Sequence, residues 1–295
     1  LELRSTPTDD ATVHKGEASE ANDAEADCLV RNGRDGAPQR DTVIVEAPLE
    51  IRLRYAWRGV EQTRDVAVTM RTPGDDERLA LGFLYNEGII SSIADVRDVS
   101  GCDNRPGALR VTLVEGVTPG EALDDRKFYA TSSCGVCGKG SSDQIWRSLP
   151  DTFPFARSDL RLDETVLLSL PRAASEHQAL FQRTGGNHAT ALFDHGGNLL
   201  AIFEDVGRHN ATDKLVGSWL LDDFERPELP TLFLSGRISF ELVQKALRLG
   251  VEVIAAVGAP SSLAIEIAEH FDVTLIGFLR GNSYNVYAGP ERIAK

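Results

Sequence analysis

Two of the four cysteines stand two residues apart in Ser133-Cys134-Gly135-Val136-Cys137-Gly138-Lys139-Gly140. The thiolate is the form that attacks sulfur or binds metal, and backbone N–H groups and a nearby lysine favour it. Gly135, Gly138 and Gly140 let the backbone turn its N–H groups toward an anionic sulfur. Such a pair can carry sulfur, hold a metal or oxidise to a disulfide.

Structural zinc takes four N or S ligands, often as two pairs. Cys28 and Cys102 do not make a second pair, and His188 and His209 lack zinc-finger spacing, so no structural metal is expected. A zinc deaminase needs a His-x-Glu segment and a Pro-Cys-x-x-Cys segment. Here Ser133 precedes Cys134, and no histidine has Glu two residues later. A P-loop would need glycine at position 133 and Ser or Thr at 140, where the chain has Ser133 and Gly140. A thioredoxin-like pair opens a helix directly after a strand. The glycines here delay a helix until about Ser142, which favours a loop over a dithiol redox protein. Sulfur transfer fits better. A thiolate can accept sulfane sulfur from a persulfide by exchange at sulfur, and a second thiol can resolve or relay it.

The elements that must position this pair belong to a chain of 295 residues, long enough for about two domains. Hydrophobic residues at 42% and charged residues at 26% fit a soluble globular protein, and no apolar run approaches a membrane span. The first residues show no apolar signal core, and four cysteines are too few for a disulfide scaffold. A reducing, cytoplasmic setting is expected. The net charge of −14 repels nucleic acid and anionic membranes at long range, so neither is expected as a partner. An anionic ligand must then be held by a local basic pocket.

Residues 1–41 carry ten acidic and five basic residues with little hydrophobic periodicity, which predicts a disordered acidic tail. Residues 42–130 read as a small N-terminal α/β domain. Its strands are expected near residues 42–46, 49–55, 64–70, 96–100 and 109–114. Asp75 is expected to cap a helix carrying Leu79, Leu81, Phe83 and Leu84 and ending near Gly88. Residues 131–295 hold the cysteine loop and a second α/β domain. A hairpin is expected around Asp194–Asn198, joining strands at His188–Phe193 and Leu199–Phe203. Helices at 210–221, 239–249 and 261–270 should then alternate with strands at 231–234, 251–257, 273–278 and 284–288. Such alternation implies a layered sheet with helices on both faces.

In such sheets ligands bind where loops leave the strand C-termini. Three polar loops fall there: residues 204–210, residues 235–237 and residues 280–283. They carry Arg208, Arg237 and Arg280 beside Gly207, Gly236 and Gly281. A lone loop arginine is ordinarily a solvated surface charge. Three at comparable sheet positions point to a bound anion, because guanidinium forks suit phosphate oxygens. His188 and His209 read as structural histidines, or more sharply as ligand donors or proton shuttles. Asp205 is expected to orient Arg208 or His209, Trp57, Trp146 and Trp219 to be core or interface residues, and Cys28 and Cys102 to be bystanders.

Six segments in order resemble the formate dehydrogenase accessory sulfurtransferase family, FdhD. They are Cys134-Gly-Val-Cys137-Gly, Thr184-Gly-Gly-Asn-His188-Ala, and residues 204–214, 235–245, 259–263 and 277–287. The resemblance covers about Val43 to Tyr287. It implies a cytoplasmic homodimer whose main domain is cytidine-deaminase-like but without that fold's zinc. It further implies that Cys134 takes persulfide sulfur from a cysteine desulfurase, with Cys137 as its partner. The recipient is a bound molybdenum (or tungsten) bis(molybdopterin guanine dinucleotide) cofactor, destined for formate dehydrogenase. Phe278, Leu279, Arg280, Gly281, Asn282 and Ser283 match the family's cofactor-binding segment. Gly207, Arg208, His209, Ser235, Gly236 and Arg237 join them as candidate cofactor residues from the strand-end loops. The rival readings are a cofactor-binding chaperone without chemistry and a dithiol redox protein.

Overall fold

The computed structural model describes residues 14–15, 24–31, 38–103, 105–119, 146, 149, 152–222 and 226–294. Strand β1 is His14–Lys15, and β2 (Glu25–Arg31) pairs antiparallel with β3 (Pro38–Ile44) as a two-stranded ribbon. This corrects the expectation of a tail disordered through residue 41. The ribbon is mostly solvent-exposed and hence hydrophilic in composition, yet it is anchored. Ala24 is buried and its carbonyl accepts the Val45 amide, while Glu25 pairs with Arg183.

A four-stranded sheet follows, in the order β5-β4-β7-β6. It contains β4 (Ala47–Trp57), β5 (Val60–Arg71), β6 (Val96–Cys102) and β7 (Arg105–Leu113). Leu49, Ile51, Leu53 and Tyr55 alternate into the core, as a half-buried strand requires. Of the three tryptophans expected as core or interface residues, Trp146 and Trp219 pack against the core, while Trp57, at the end of β4, is exposed. Helix α1 (Asp76–Asn86) buries Leu79, Ala80, Leu81 and Leu84. Asp75 sits at its start but does not cap it. Its backbone is left-handed (φ 55°), and its carboxylate meets Arg78 instead.

After the short β8 (Leu162–Asp163) come α2 (Glu164–Ser175) and α3 (Ala179–Thr184), two helices to which the sequence reading assigns no element. The Asp163 carboxylate caps α2 by accepting the Thr165 amide. The main sheet then forms from β9 (His188–Phe193), β10 (Leu199–Asp205), β11 (Thr231–Leu234), β12 (Val253–Ala256), β13 (Thr274–Arg280) and β14 (Ser283–Ala288). The strand order is β1-β10-β9-β11-β12-β13-β14. Helices α4 (Arg208–Asp222), α5 (Phe240–Arg248) and α6 (Ser262–His270) connect these strands, and β15 (Ile293–Ala294) returns to pair with β8.

Alternation along the central strands feeds two cores. Leu232, Leu234, Ile254 and Leu275 face one side, with α4, α5, α6 and the first sheet's residues. Phe233, Val253, Ala255 and Ile276 face the other, with Leu167, Leu170 and Ala174 of α2. Strands buried on both faces read as continuous apolar runs for this reason.

The two sheets are joined through α1 and α4. A Cβ on Gly82 would lie 1.9 Å from the Asp213 carbonyl oxygen, and one on Gly217 would lie 1.8 Å from that of Arg78. The paired contacts 82 to 213 and 78 to 217 make the helices antiparallel and bring their backbones together. Asn86 donates to the buried Asp213 carboxylate (2.7 Å), which also pairs with Lys245 of α5.

Candidate functional site

Strands β10, β11, β12 and β13 run parallel to one another, while β9 runs antiparallel to its neighbours β10 and β11. The C-terminal ends of four strands and the start of a fifth therefore share one edge of the sheet. The register places His188 directly opposite Asp205. Strands lie about 4.8 Å apart, and one strand separates β10 from β11 and another separates β11 from β13. Arg208, Arg237 and Arg280 are thus rooted about 10 Å apart along this edge.

Backbone hydrogen bonds tie the loops into one surface. Ser235 donates its amide to the Ala189 carbonyl (3.0 Å), and its Oγ accepts the Ala189 amide (2.8 Å). The Ser235 hydroxyl therefore retains its proton and one lone pair to offer a ligand. The Gly258 amide donates to the Gly236 carbonyl (3.0 Å), and the Phe278 amide to the Gly258 carbonyl (3.1 Å). Gly236 packs closely against the His188 ring. A Cβ there would sit 3.2 Å from His188 Nδ1 and 3.9 Å from Arg208 Cδ. The Val257–Gly258 floor between β11 and β13 has no role in the sequence reading. Its only sequence signal is a glycine directly after a β-run.

Arg280 donates Nε to the Val257 carbonyl (3.2 Å), and its guanidinium lies 5.7 Å from the Phe278 ring centroid. Phe278 is exposed and adopts a left-handed backbone (φ 54°), which turns the chain into the exposed Gly281, Asn282 and Ser283. Leu279 is a correction. Its side chain is fully buried in the α2-side core, on the same side as Ile276, because the left-handed Phe278 and the register shift between Gly277 and Arg280 interrupt the alternation of β13; it can meet a ligand only through its backbone. Arg237 is exposed, and among the described residues no carboxylate pairs with Arg237 or Arg280. Elsewhere the pattern is different: Arg71 pairs with Asp76 (2.7 Å) and Arg226 with Glu252 (2.9 Å).

His209 Nε2 lies 3.0 Å from the Ser239 Oγ and 3.8 Å from Glu241. Burial pushes the Glu241 carboxyl up, but neighbouring His209 and Ser239 outweigh it and hold the group below the ordinary glutamate value. Asp205 reaches the turn that carries Arg208 and His209 through the backbone of that turn. Its carboxylate accepts the Gly207 and Thr72 amides and the Asn210 side chain, and pairs with Lys214. Glu204, one residue before, accepts the Leu180 and Phe181 amides and the Asn187 side chain, which fixes the approach to His188.

His188 is half-buried. Desolvation first, then the charges of Arg208, Arg237 and His209, hold its pKa below the ordinary histidine value of 6.5, against a smaller pull from Asp205. The imidazole is therefore neutral at pH 7. With the folded value lowered, the unfolded chain binds the proton more readily. The stability linked to this group is complete above pH 6.5 and is lost as pH falls through the folded value. A proton NMR titration should place the His188 midpoint below 6.5 and should move it upward on adding pyrophosphate. A midpoint at or above 6.5 without ligand would contradict this electrostatic picture.

Cys134 and Cys137 lie outside the described residues. Among those described, Cys28 and Cys102 are free thiols, and no cluster of three His, Cys, Asp or Glu side chains could hold a metal ion. No described helix is long and apolar enough to cross a membrane.

Comparison with known proteins gives the family. The FdhD/NarQ family model matches residues 44–294. A sulfur carrier protein FdhD from Saccharolobus solfataricus is 44% identical over 253 residues, covering 86% of this chain and 91% of that protein. One of the same name from Streptomyces avermitilis is 45% identical over 275 residues, covering 88% and 93%. A crystal structure from Desulfotalea psychrophila, described as a formate dehydrogenase accessory protein, superimposes with a TM-score of 0.67 at 26% identity, covering 92% of this chain and 98% of that one. With a family-model match over residues 44–294 and relatives 44–45% identical over most of both chains, this chain belongs to the FdhD/NarQ family.

Proposed function

We propose that this protein carries sulfur for the maturation of formate dehydrogenase. In this reading the Cys134 thiolate attacks the outer sulfur of a persulfide on a cysteine desulfurase. The donor's S–S bond breaks, the donor leaves as thiolate, and Cys134 holds the sulfane sulfur. Cys137 supplies the two electrons for delivery. Its thiolate attacks the inner sulfur, hydrosulfide departs, and a Cys134–Cys137 disulfide forms that a cellular dithiol reduces. The recipient is a molybdenum (or tungsten) bis(molybdopterin guanine dinucleotide) cofactor, bound as cargo at the sheet edge. The cytoplasmic homodimer and the cytidine-deaminase-like layering of the main sheet belong to the same proposal.

The observation that carries the cargo site is the charge arrangement at that edge. In a chain of net charge −14, Arg237 and Arg280 face solvent without a carboxylate partner among the described residues. Arg208 and a neutral His188 stand beside Gly236 in the same row. Guanidinium forks rooted on separate strands of one sheet edge suit a ligand with two separated pyrophosphates. The support for sulfur as the freight comes from the names of the relatives and from the thiol pair.

Guanosine diphosphate carries the guanosine and pyrophosphate of one of the cargo's two dinucleotides and is a usable probe. Calorimetry should show binding by the wild-type protein and about tenfold or more weaker binding by Arg280→Ala, because a charge-assisted contact to phosphate is lost. The melting temperature should be unchanged, since Arg280 is exposed. Equal affinity in both proteins would remove Arg280 from the site.

A further inference from the structure

Thr72 belongs to the turn between β5 and α1, in the first sheet's unit, yet it is fully buried and gripped at three atoms by the site's own strand and helix. Its amide donates to Asp205 Oδ2 (3.1 Å). Its hydroxyl oxygen accepts the Val206 amide (3.0 Å). Its carbonyl accepts Lys214 Nζ (3.1 Å). Lys214 also donates to the Glu204 carbonyl (3.3 Å) and pairs with Asp205 (2.9 Å), with 1% and 0% of these two residues exposed. The other Asp205 oxygen accepts the Gly207 amide (2.8 Å) and Asn210 Nδ2 (3.0 Å), and Asn210 continues to the Met70 carbonyl (2.7 Å) and the Thr69 hydroxyl (3.1 Å).

Every polar group in this knot acts on one short turn, residues 205–210, which carries Arg208 and His209. A buried ion pair gives little net stability compared with an apolar pair of similar volume, because desolvation offsets the attraction. Its geometry is nonetheless exacting, since an unmatched buried charge is costly. We propose that Thr72, Asp205 and Lys214 are positioning residues: they clamp the Val206–His209 turn from the first sheet and so set where Arg208 and His209 stand on the ligand edge. The first sheet thereby takes part in ligand recognition without touching the ligand. The ligand arm of this inference rests on the proposed cargo site, but the clamp itself does not.

Hydrogen exchange on the full chain tests it with Thr72→Val, which keeps size and backbone but removes the acceptor for the Val206 amide. Exchange across residues 205–210 should quicken about tenfold or more, while β12 and β13 exchange as in the wild type. Thr72→Ser should restore the wild-type rate. The double variant Asp205→Asn/Lys214→Met should loosen the same turn, and if it fails to fold, Thr72→Val decides alone. An unchanged turn, or quickening of equal size in β12 and β13, overturns the clamp. Calorimetry with guanosine diphosphate adds the ligand arm. Binding by the wild type with undiminished binding by Thr72→Val overturns the link from clamp to recognition. No binding by the wild type overturns the cargo site and, with it, that link; exchange then decides the clamp.

Discussion

Cys134→Ser is expected to reduce sulfur loading to background. After incubation with a cysteine desulfurase and cysteine, mass spectrometry should find the sulfur adduct on wild-type protein and none on the variant. Formate dehydrogenase activity in cells that depend on this protein should fall with it. The circular dichroism spectrum should not change, because the thiol-to-hydroxyl exchange replaces one small side chain by another of nearly the same shape. Serine fails because its hydroxyl is not ionised at neutral pH, whereas the thiolate form of a cysteine attacks sulfur. Cys137→Ser should still load sulfur but should release it slowly, since no second thiol is present to form the disulfide. An active dehydrogenase with Cys134→Ser would leave the protein as a cofactor-binding chaperone, with the sheet edge as its whole function.

Gly217→Ala separates two physical effects by sign. Helix propensity alone predicts that Ala in the middle of α4 stabilises by about 1 kcal/mol. The structure predicts the reverse, because the new Cβ would meet the Arg78 carbonyl oxygen at 1.8 Å and backbone cannot move aside as a side chain does. The two helices must separate, at a cost of about 3 kcal/mol. The net loss should lower the melting temperature by roughly 4–8 °C. Gly101→Ala is the control, since a Cβ there meets nothing within 4 Å. A stabilised Gly217→Ala variant would mean that α1 and α4 do not touch as described. The displacement should also reach the ligand edge, because α4 begins with Arg208 and His209.

Much of the scaffold was legible because it depends on local pattern. Alternation in Leu49-Glu-Ile-Arg-Leu-Arg-Tyr55 marks a strand with one buried face, and the structure buries Leu49, Ile51, Leu53 and Tyr55. The turn residues of Asp194–Asn198 mark the hairpin joining β9 and β10, and the Asp194 carboxylate accepts the Gly196 and Asn198 amides there. Other elements were obscured by chemistry that local pattern misreads. The β2–β3 ribbon has the composition of a tail because nearly all of it faces water. Helix α2 contains Pro171, which reads as a breaker, although Leu167, Leu170 and Ala174 line one buried stripe. Helix α4 was expected at 210–221 and forms there; what local pattern misreads is the setting of its Asp213 and Lys214, which resemble a solvated face. Both are buried, because α4 is covered by the main sheet on one side and by α1 on the other.

The sequence alone determined the chemistry on offer: two thiols at a fixed spacing, arginines beside glycines, and a strand and helix order that puts those arginines at strand ends. Each of these is a property of neighbouring residues. Only the tertiary structure decided which charges remain available to a ligand and which are spent on one another. Asp205 finds Thr72 from 133 residues away, and Asp213 finds Asn86 from 127. His188 comes beside Arg208 and Arg237 only because β9 runs against its neighbours. A carboxylate or a guanidinium looks the same in sequence whether its partner is solvent, a ligand or a distant lysine. Desolvation and strand direction make that choice, and both are set by packing.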